Sequence, residues 1–187
     1  MTASVLVSVG TDHHPFTRLI EWVDSWADAL AQPVDLVVQH GSSRPSRLGR
    51  NEALLGHDEI LELFRNATVL VTQVGPGTIL DANAVGRLPI VVARHPELGE
   101  HVDGHQIAFG RFMHEQGHAW CVDTADDLHA AMTRALQDPT WSHMPPRVSP
   151  APQAAVEVGR IVDEVVGRRP GFVSWRGLRS MARRPRV

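Results

Sequence analysis

Val69-Leu70-Val71-Thr72-Gln73-Val74-Gly75-Pro76-Gly77-Thr78-Ile79-Leu80-Asp81 is the stretch that decides how this chain folds. A β-branched apolar run enters a turn with two glycines, and Ile79 to Val85 then follows at helical spacing, closed by Gly86. Strand, tight turn and helix in that order form one unit of a parallel sheet. The glycines let backbone N–H groups approach an oxyanion with no Cβ in the way, and a helix N-terminus adds roughly half a positive charge. Asp81 lies one turn into the helix, on the face of Gly77 or Thr78, where a carboxylate can accept bonds from a ribose diol. The same residues also suit a plain tight turn with Thr78 as cap. No Walker or dinucleotide fingerprint chooses between the two readings.

Outward from this unit the pattern repeats. Val5 to Val9, Val34 to Gln39, Pro89 to Ala93 and Ala119 to Val122 join Thr68 to Thr72 as short strands, most of them apolar on both faces. Such strands belong in a parallel sheet covered by helices on each side. Helices are expected at Phe16 to Ala31, Asp58 to Asn66, Asp103 to Gln116 and, started by Thr124, Asp126 to Gln137. The fold class that follows is α/β, a Rossmann-like open parallel sheet, with its ligand site beyond the carboxyl ends of the strands. The loops to inspect are Gly10 to Pro15, His40 to Arg50, Gln73 to Thr78 and Arg94 to Val102. Trp141 to Pro152 reads as a Pro-rich linker into a last helix, Ala154 to Val166.

Two further loops carry polar groups. In Glu97 to Gln106, Asp103 is a natural N-cap, with His105 and Gln106 in the first helical turn, where they can bond sugar hydroxyls. His101 and His105 are four apart with Asp103 between them, yet no His-Glu-x-x-His pattern or third spaced ligand supports a metal, and none is expected. In Val9 to Phe16, Gly10 and Thr11 can hold the second side of a diphosphate. His13 and His14, beside an acid, are candidates for acid/base work or are simply surface residues. Arg44, Arg47 and Arg50 can neutralise a phosphate or face a partner.

Composition bounds the rest. At 187 residues the chain fits one compact domain, residues 1–167, with a short extension, 168–187. Every basic residue is Arg, and seven of the 18 lie after residue 167, where no acid occurs; 11 Arg against 21 acids leave the first 167 residues at −10. That balance and the missing stacking aromatics argue against nucleic acid. Phe172, Trp175, Leu178 and Met181 recur every third residue of the extension, which suits an interfacial helix on anionic lipid or a partner-bound basic tail. A single cysteine, Cys121, excludes an internal disulfide, and no apolar run reaches the roughly 18 residues of a membrane span. The expected location is cytoplasmic, with any membrane association peripheral, at the inner face.

In this order the segments resemble the C-terminal domain of family 28 glycosyltransferases, the MurG-like enzymes. The likeness is closer still to the short catalytic subunits of two-component N-acetylglucosaminyltransferases and their bacterial exopolysaccharide relatives. It rests on Val9-Gly10-Thr11 after the first strand, Phe16 and Leu19-Ile20 in the first helix, Gly75, Gly77, Thr78 and Asp81, then Gly86-Arg87-Leu88-Pro89 and Asp103-Gly104-His105-Gln106. It covers roughly residues 4 to 137. The chain departs from it in having Gln73-Val74 where His or Arg often precedes the glycines, and Asp81 where the acid is usually Glu.

The resemblance implies the C-terminal lobe of a GT-B enzyme, holding a UDP-sugar on Gly10, Thr11, Gly75, Pro76, Gly77, Thr78, Asp81, Asp103, His105 and Gln106. It implies inverting transfer to a lipid-linked acceptor without a bound metal or other cofactor. It also implies a membrane-anchored partner supplying the acceptor lobe, in polysaccharide or glycolipid synthesis. The general base lies on that partner or at His13 or His14. The alternative is a non-catalytic nucleotide-sugar-binding subunit that stabilises or activates another transferase.

Overall fold

The computed structural model describes residues 2–147 and 151–167. Six strands form one sheet: β1 (Ser4–Ser8), β2 (Asp35–Gln39), β3 (Arg50–Glu52), β4 (Val69–Gln73), β5 (Ile90–Val92) and β6 (Trp120–Val122). Their order is β3-β2-β1-β4-β5-β6, and every pair is parallel. The sheet therefore reverses its direction of growth between β1 and β4. At that point the loops after the two strands leave toward opposite faces and open a crevice between them.

The strands are apolar on both faces because both faces are covered. Val5, Val7, Val69, Val71, Ile90 and Val92 pack with α1 (Thr17–Asp28) and α5 (Ala125–Gln137) through Leu19, Ile20, Val23, Leu128 and Met132. The alternate residues turn the other way. Leu6, Val37 and Leu70 meet Phe64 of α2 (His57–Asn66) and Ala82 of α3 (Pro76–Ala84). Val91 meets Ile79 and Met113, the latter from α4 (His105–Glu115). A period of two with apolar residues in both phases is what a doubly covered parallel sheet requires. Thr124 caps α5, accepting a bond from the Asp127 N–H, as its position in the sequence leads one to expect.

Three expectations change. Arg50, expected to end the loop from His40, instead opens β3, an edge strand of sequence Arg-Asn-Glu that is not among the expected strands. A three-residue polar strand has no hydrophobic alternation to announce it. Helix α4 begins at His105, with Gly104 at its cap, two residues later than the expected start at Asp103. The Asp103 carboxylate still accepts from the His105 N–H at 3.0 Å, so it satisfies a first-turn donor from just outside the helix. Thr78 is no cap either. Helix α3 starts at Pro76 behind Gly75, and Thr78 lies inside its first turn.

The compact body ends at Arg147; a second unit begins at Val148 and contains α6 (Ala151–Gly167). Along α6, Val158, Ile161, Val162 and Val165 are exposed at helical spacing. The Arg-rich stretch 168–187, and with it the expected amphipathic tail, lies outside the described residues. No described helix is long and apolar enough to cross a membrane.

Candidate active site: a cleft at the switch point of the sheet

The loops following β1 and β4 meet the first turn of α4 in a cleft of about 290 Å³. Gly10, Thr11, Gln73, Gly75, His105 and Gln106 are among its lining residues. Of the residues expected in the donor site, the structure thus brings together Gly10, Thr11, Gly75, Pro76, His105 and Gln106. Gly77, Thr78 and Asp81 lie along α3 outside this lining, and Asp103 stands on the rim beside His105. Asp81 is partly exposed, and its carboxylate is 3.9 Å from the ring of His57 at the start of α2.

The chemistry of the cleft comes mainly from backbone. Pro76 occupies the first position of α3 and has no N–H, and no side chain caps the helix. The amides of Gly77 and Thr78 are left as first-turn donors at the positive end of the dipole. In the cleft with Gly75 and Pro76, Gly10 adopts φ +80, a left-handed conformation that a side chain would strain.

Gln73, the last residue of β4, was missed as a site residue. Its side chain runs between the two glycines. A β-carbon on Gly10 would come within 3.2 Å of it, and one on Gly75 would overlap its amide nitrogen. The glycines of this cleft therefore make room for a side chain as much as for a ligand. The one signal available was the position of Gln73, where relatives often carry a cationic residue.

A buried network holds the walls apart. Arg94, 1% exposed, donates to the carbonyls of Val9 (2.7 Å), His14 (2.7 Å) and Glu100 (3.0 Å), and its guanidinium lies over the Phe16 ring. Its own N–H donates to Gln106 Oε1 at 3.1 Å, so Gln106 is anchored at its carbonyl end where it lines the cleft. Glu100 accepts two bonds from Arg18, at 2.9 and 2.8 Å, and one from the His95 N–H. Loops after β1 and β5 are thereby tied through one guanidinium and one carboxylate.

Along the rim, Asp12 Oδ1 accepts from the His14 N–H and lies 2.7 Å from His14 Nδ1. Burial works against ionising Asp12, but the His14 backbone and ring, helped by the charge of Arg94, hold its carboxyl below the usual range. Asp103 is likewise held low, by the His105 N–H and ring. His13 has 83% of its side chain exposed and stacks on His14, whereas His14 is 22% exposed and oriented by Asp12. Burial, aided by Asp123, pushes the Cys121 thiol up to about 11, which disfavours the thiolate at neutral pH.

The arginines of the loop after β2 are paired with acids of this chain. Arg44 and Arg47 approach the buried carboxylate of Asp24 on α1, Arg47 also pairs with Asp28 at 2.6 Å, and Arg50 lies 3.5 Å from Glu52. Ser46 and the Arg47 N–H complete the coordination of Asp24. With these acids beside them, the arginines are poorly placed to neutralise a ligand phosphate.

An all-parallel sheet in this strand order, with anion-ready amides and polar side chains at its switch point, defines a Rossmann-like ligand-binding domain. Residues 4–157 match the model of the glycosyltransferase family 28 C-terminal domain, and the chain belongs to that family. The arrangement is that of the C-terminal lobe of a GT-B glycosyltransferase. Among solved structures, MurG of Acinetobacter baumannii is similar at 17% identity and a TM-score of 0.54, over 76% of this chain and 43% of that one. A glycotransferase of kitacinnamycin is similar at 21% identity and the same TM-score, over 74% and 36%. This chain thus corresponds to less than half of either enzyme. A search of curated protein sequences finds no match.

Proposed function

We propose that this chain is the donor-binding part of an inverting glycosyltransferase, holding a UDP-sugar while a membrane-associated partner presents a lipid-linked acceptor. The observation that carries the reading is the cleft between Gly10-Thr11 and Gly75-Pro76, at the positive end of α3 and at the sheet's switch point. A diphosphate there is met by the Gly77 and Thr78 amides from one side and by the Gly10-Thr11 loop from the other. The charge that develops on the leaving group is stabilised by oriented dipoles, with no metal cofactor required. A nucleoside extending along α3 brings its ribose to Asp81, and the sugar then lies toward His105 and Gln106. His14, its ring fixed by Asp12, is the better placed of the two rim histidines to take a proton from the acceptor hydroxyl; otherwise that base comes from the partner. The setting is polysaccharide or glycolipid synthesis at the inner face of the membrane. The family match supports the donor-lobe part of this reading.

Transfer by the chain and its partner is expected to fall at least tenfold in Asp81→Ala and in His105→Ala, with thermal stability nearly unchanged. Survival of full transfer in both variants would leave only the non-catalytic, activating role. On the isolated chain, UDP is expected to raise the melting temperature more than GDP or TDP; no response to any of the three defeats the donor-site reading.

Gly75→Ala separates fold from site. The new methyl meets only the flexible end of Gln73, so stability should change by less than about 1 kcal/mol. The displaced Gln73 amide then swings into the cleft, and UDP affinity should drop about tenfold, with recovery in the double variant Gly75→Ala/Gln73→Ala. Calorimetric titration of the three proteins reads this directly.

A further inference from the structure

Four histidines and two aspartates from loops more than 80 residues apart converge on the cleft rim. Asp12, His13 and His14 present ligand atoms within 4.8 Å of one another, and so do His101, Asp103 and His105. The two groups are contiguous. His101 Nε2 lies 3.8 Å from Asp12 Oδ2, its Nδ1 lies 3.8 Å from Asp103 Oδ1, and the rings of His14 and His101 are 6.1 Å apart.

We propose that this rim is a binding site for a divalent transition-metal ion of the zinc class, held by Asp12, His13 and His14 with His101 as the fourth ligand from the facing loop. Three imidazoles and one carboxylate are a donor set suited to Zn²⁺ and Co²⁺, and too rich in nitrogen for Mg²⁺ or Ca²⁺. His101 presents Nε2 toward Asp12, while its Nδ1 accepts from the Asp103 N–H at 3.3 Å and lies 3.8 Å from that residue's carboxylate; ligation through Nε2 moves the ring proton to Nδ1, which then turns to the carboxylate. The spacing of the two loops is set by buried structure, because Arg94 bonds the carbonyls of both His14 and Glu100, one residue before His101. A tetrahedral shell needs ligand atoms about 3.5 Å apart at metal–ligand distances near 2.1 Å; the exposed ring of His13 is free to turn to it, while His14 and His101 exchange their present bonds to Asp12 and the Asp103 N–H for the ion. The ion joins the loops after β1 and β5 across one side of the cleft and occupies the ring of His14. Asp12 also lines the donor cleft, and a bound ion takes His14 out of proton transfer, leaving that role to a base on the partner; ion binding itself is measurable whether or not a nucleotide-sugar is the donor.

The test uses the full chain freed of metal by chelator, titrated with Zn²⁺ against a chromophoric chelator and with Co²⁺ by visible absorption. One ion per chain, a Zn²⁺-dependent rise in melting temperature, tetrahedral Co²⁺ bands and no response to Mg²⁺ are expected. His13→Ala, on an exposed side chain, and His101→Ala should each weaken Zn²⁺ at least tenfold, with the metal-free melting temperature preserved for His13→Ala. His57→Ala, on α2, should leave Zn²⁺ affinity unchanged. Equal Zn²⁺ affinity in His13→Ala, His101→Ala and the parent chain overturns the site, as does equal binding of Mg²⁺. Affinity lost in His105→Ala but kept in His13→Ala assigns the ion to the other triad and overturns this ligand set.

Discussion

Arg94→Met is expected to lower the free energy of unfolding by roughly 3–5 kcal/mol. Methionine keeps an unbranched apolar side chain but removes the guanidinium that lies over Phe16 and donates to the carbonyls of Val9, His14 and Glu100. All three acceptors belong to loop backbone, so no neighbouring strand or helix replaces the lost donors, and each orphaned buried carbonyl costs about 1–3 kcal/mol. The guanidinium is itself buried, with its Nε unpartnered and its charge disfavoured by burial despite Asp12 and Glu100. That desolvation is already spent in the folded parent and is recovered in part by Met, which keeps the loss below the sum of three bonds. Urea unfolding at neutral pH reads the difference, and a loss under about 1 kcal/mol would show that the loops hold their spacing without this residue. Arg94→Lys retains charge but not the fork, and should fall between the two.

Gly41→Ala is the second large effect, expected near 2–3 kcal/mol. Gly41 has φ +54, and a β-carbon there would stand 2.6 Å from the backbone carbonyl oxygen of Gly10. Unlike the clash at Gly75, this one has no flexible side-chain end to yield; backbone must move. The backbone that moves is the turn after β1, which forms one wall of the cleft. Destabilisation and weakened UDP binding should therefore appear together in Gly41→Ala, whereas Gly75→Ala shows the second without the first. Unfolding curves and nucleotide titrations on both proteins distinguish the two patterns, and unchanged stability in Gly41→Ala would mean that the two loops are not in contact.

Much of this was legible in one dimension. Strand and helix order followed from hydrophobic period, which is local, and the α3 turn was readable because glycine, proline and helix start are sequence neighbours. The cleft was half legible as a place: Gly10, Thr11, Gly75, Pro76, His105 and Gln106 line it, but Gln73 looked like an ordinary strand residue. Its role depends on Gly10, which lies 63 residues away and is adjacent only because β1 pairs with β4. Strand β3 stayed hidden because hydrogen bonding to β2, and not burial, makes it a strand.

By itself, then, the sequence determined an alternating α/β chain with an anion-ready turn, since both depend on interactions within a few residues. Only the tertiary structure decided the strand order that places that turn at a switch point. It alone set Arg44 and Arg47 against Asp24, gave Arg94 its three carbonyls, and gathered His13 and His14 beside His101. Apart from the bond of Arg94 to the Glu100 carbonyl, six residues away, each of these is a contact between residues 20 to 90 positions apart. Charge, hydroxyl and imidazole patterns carry no period from which such contacts can be read, and the packing of helices on the sheet is what selects them.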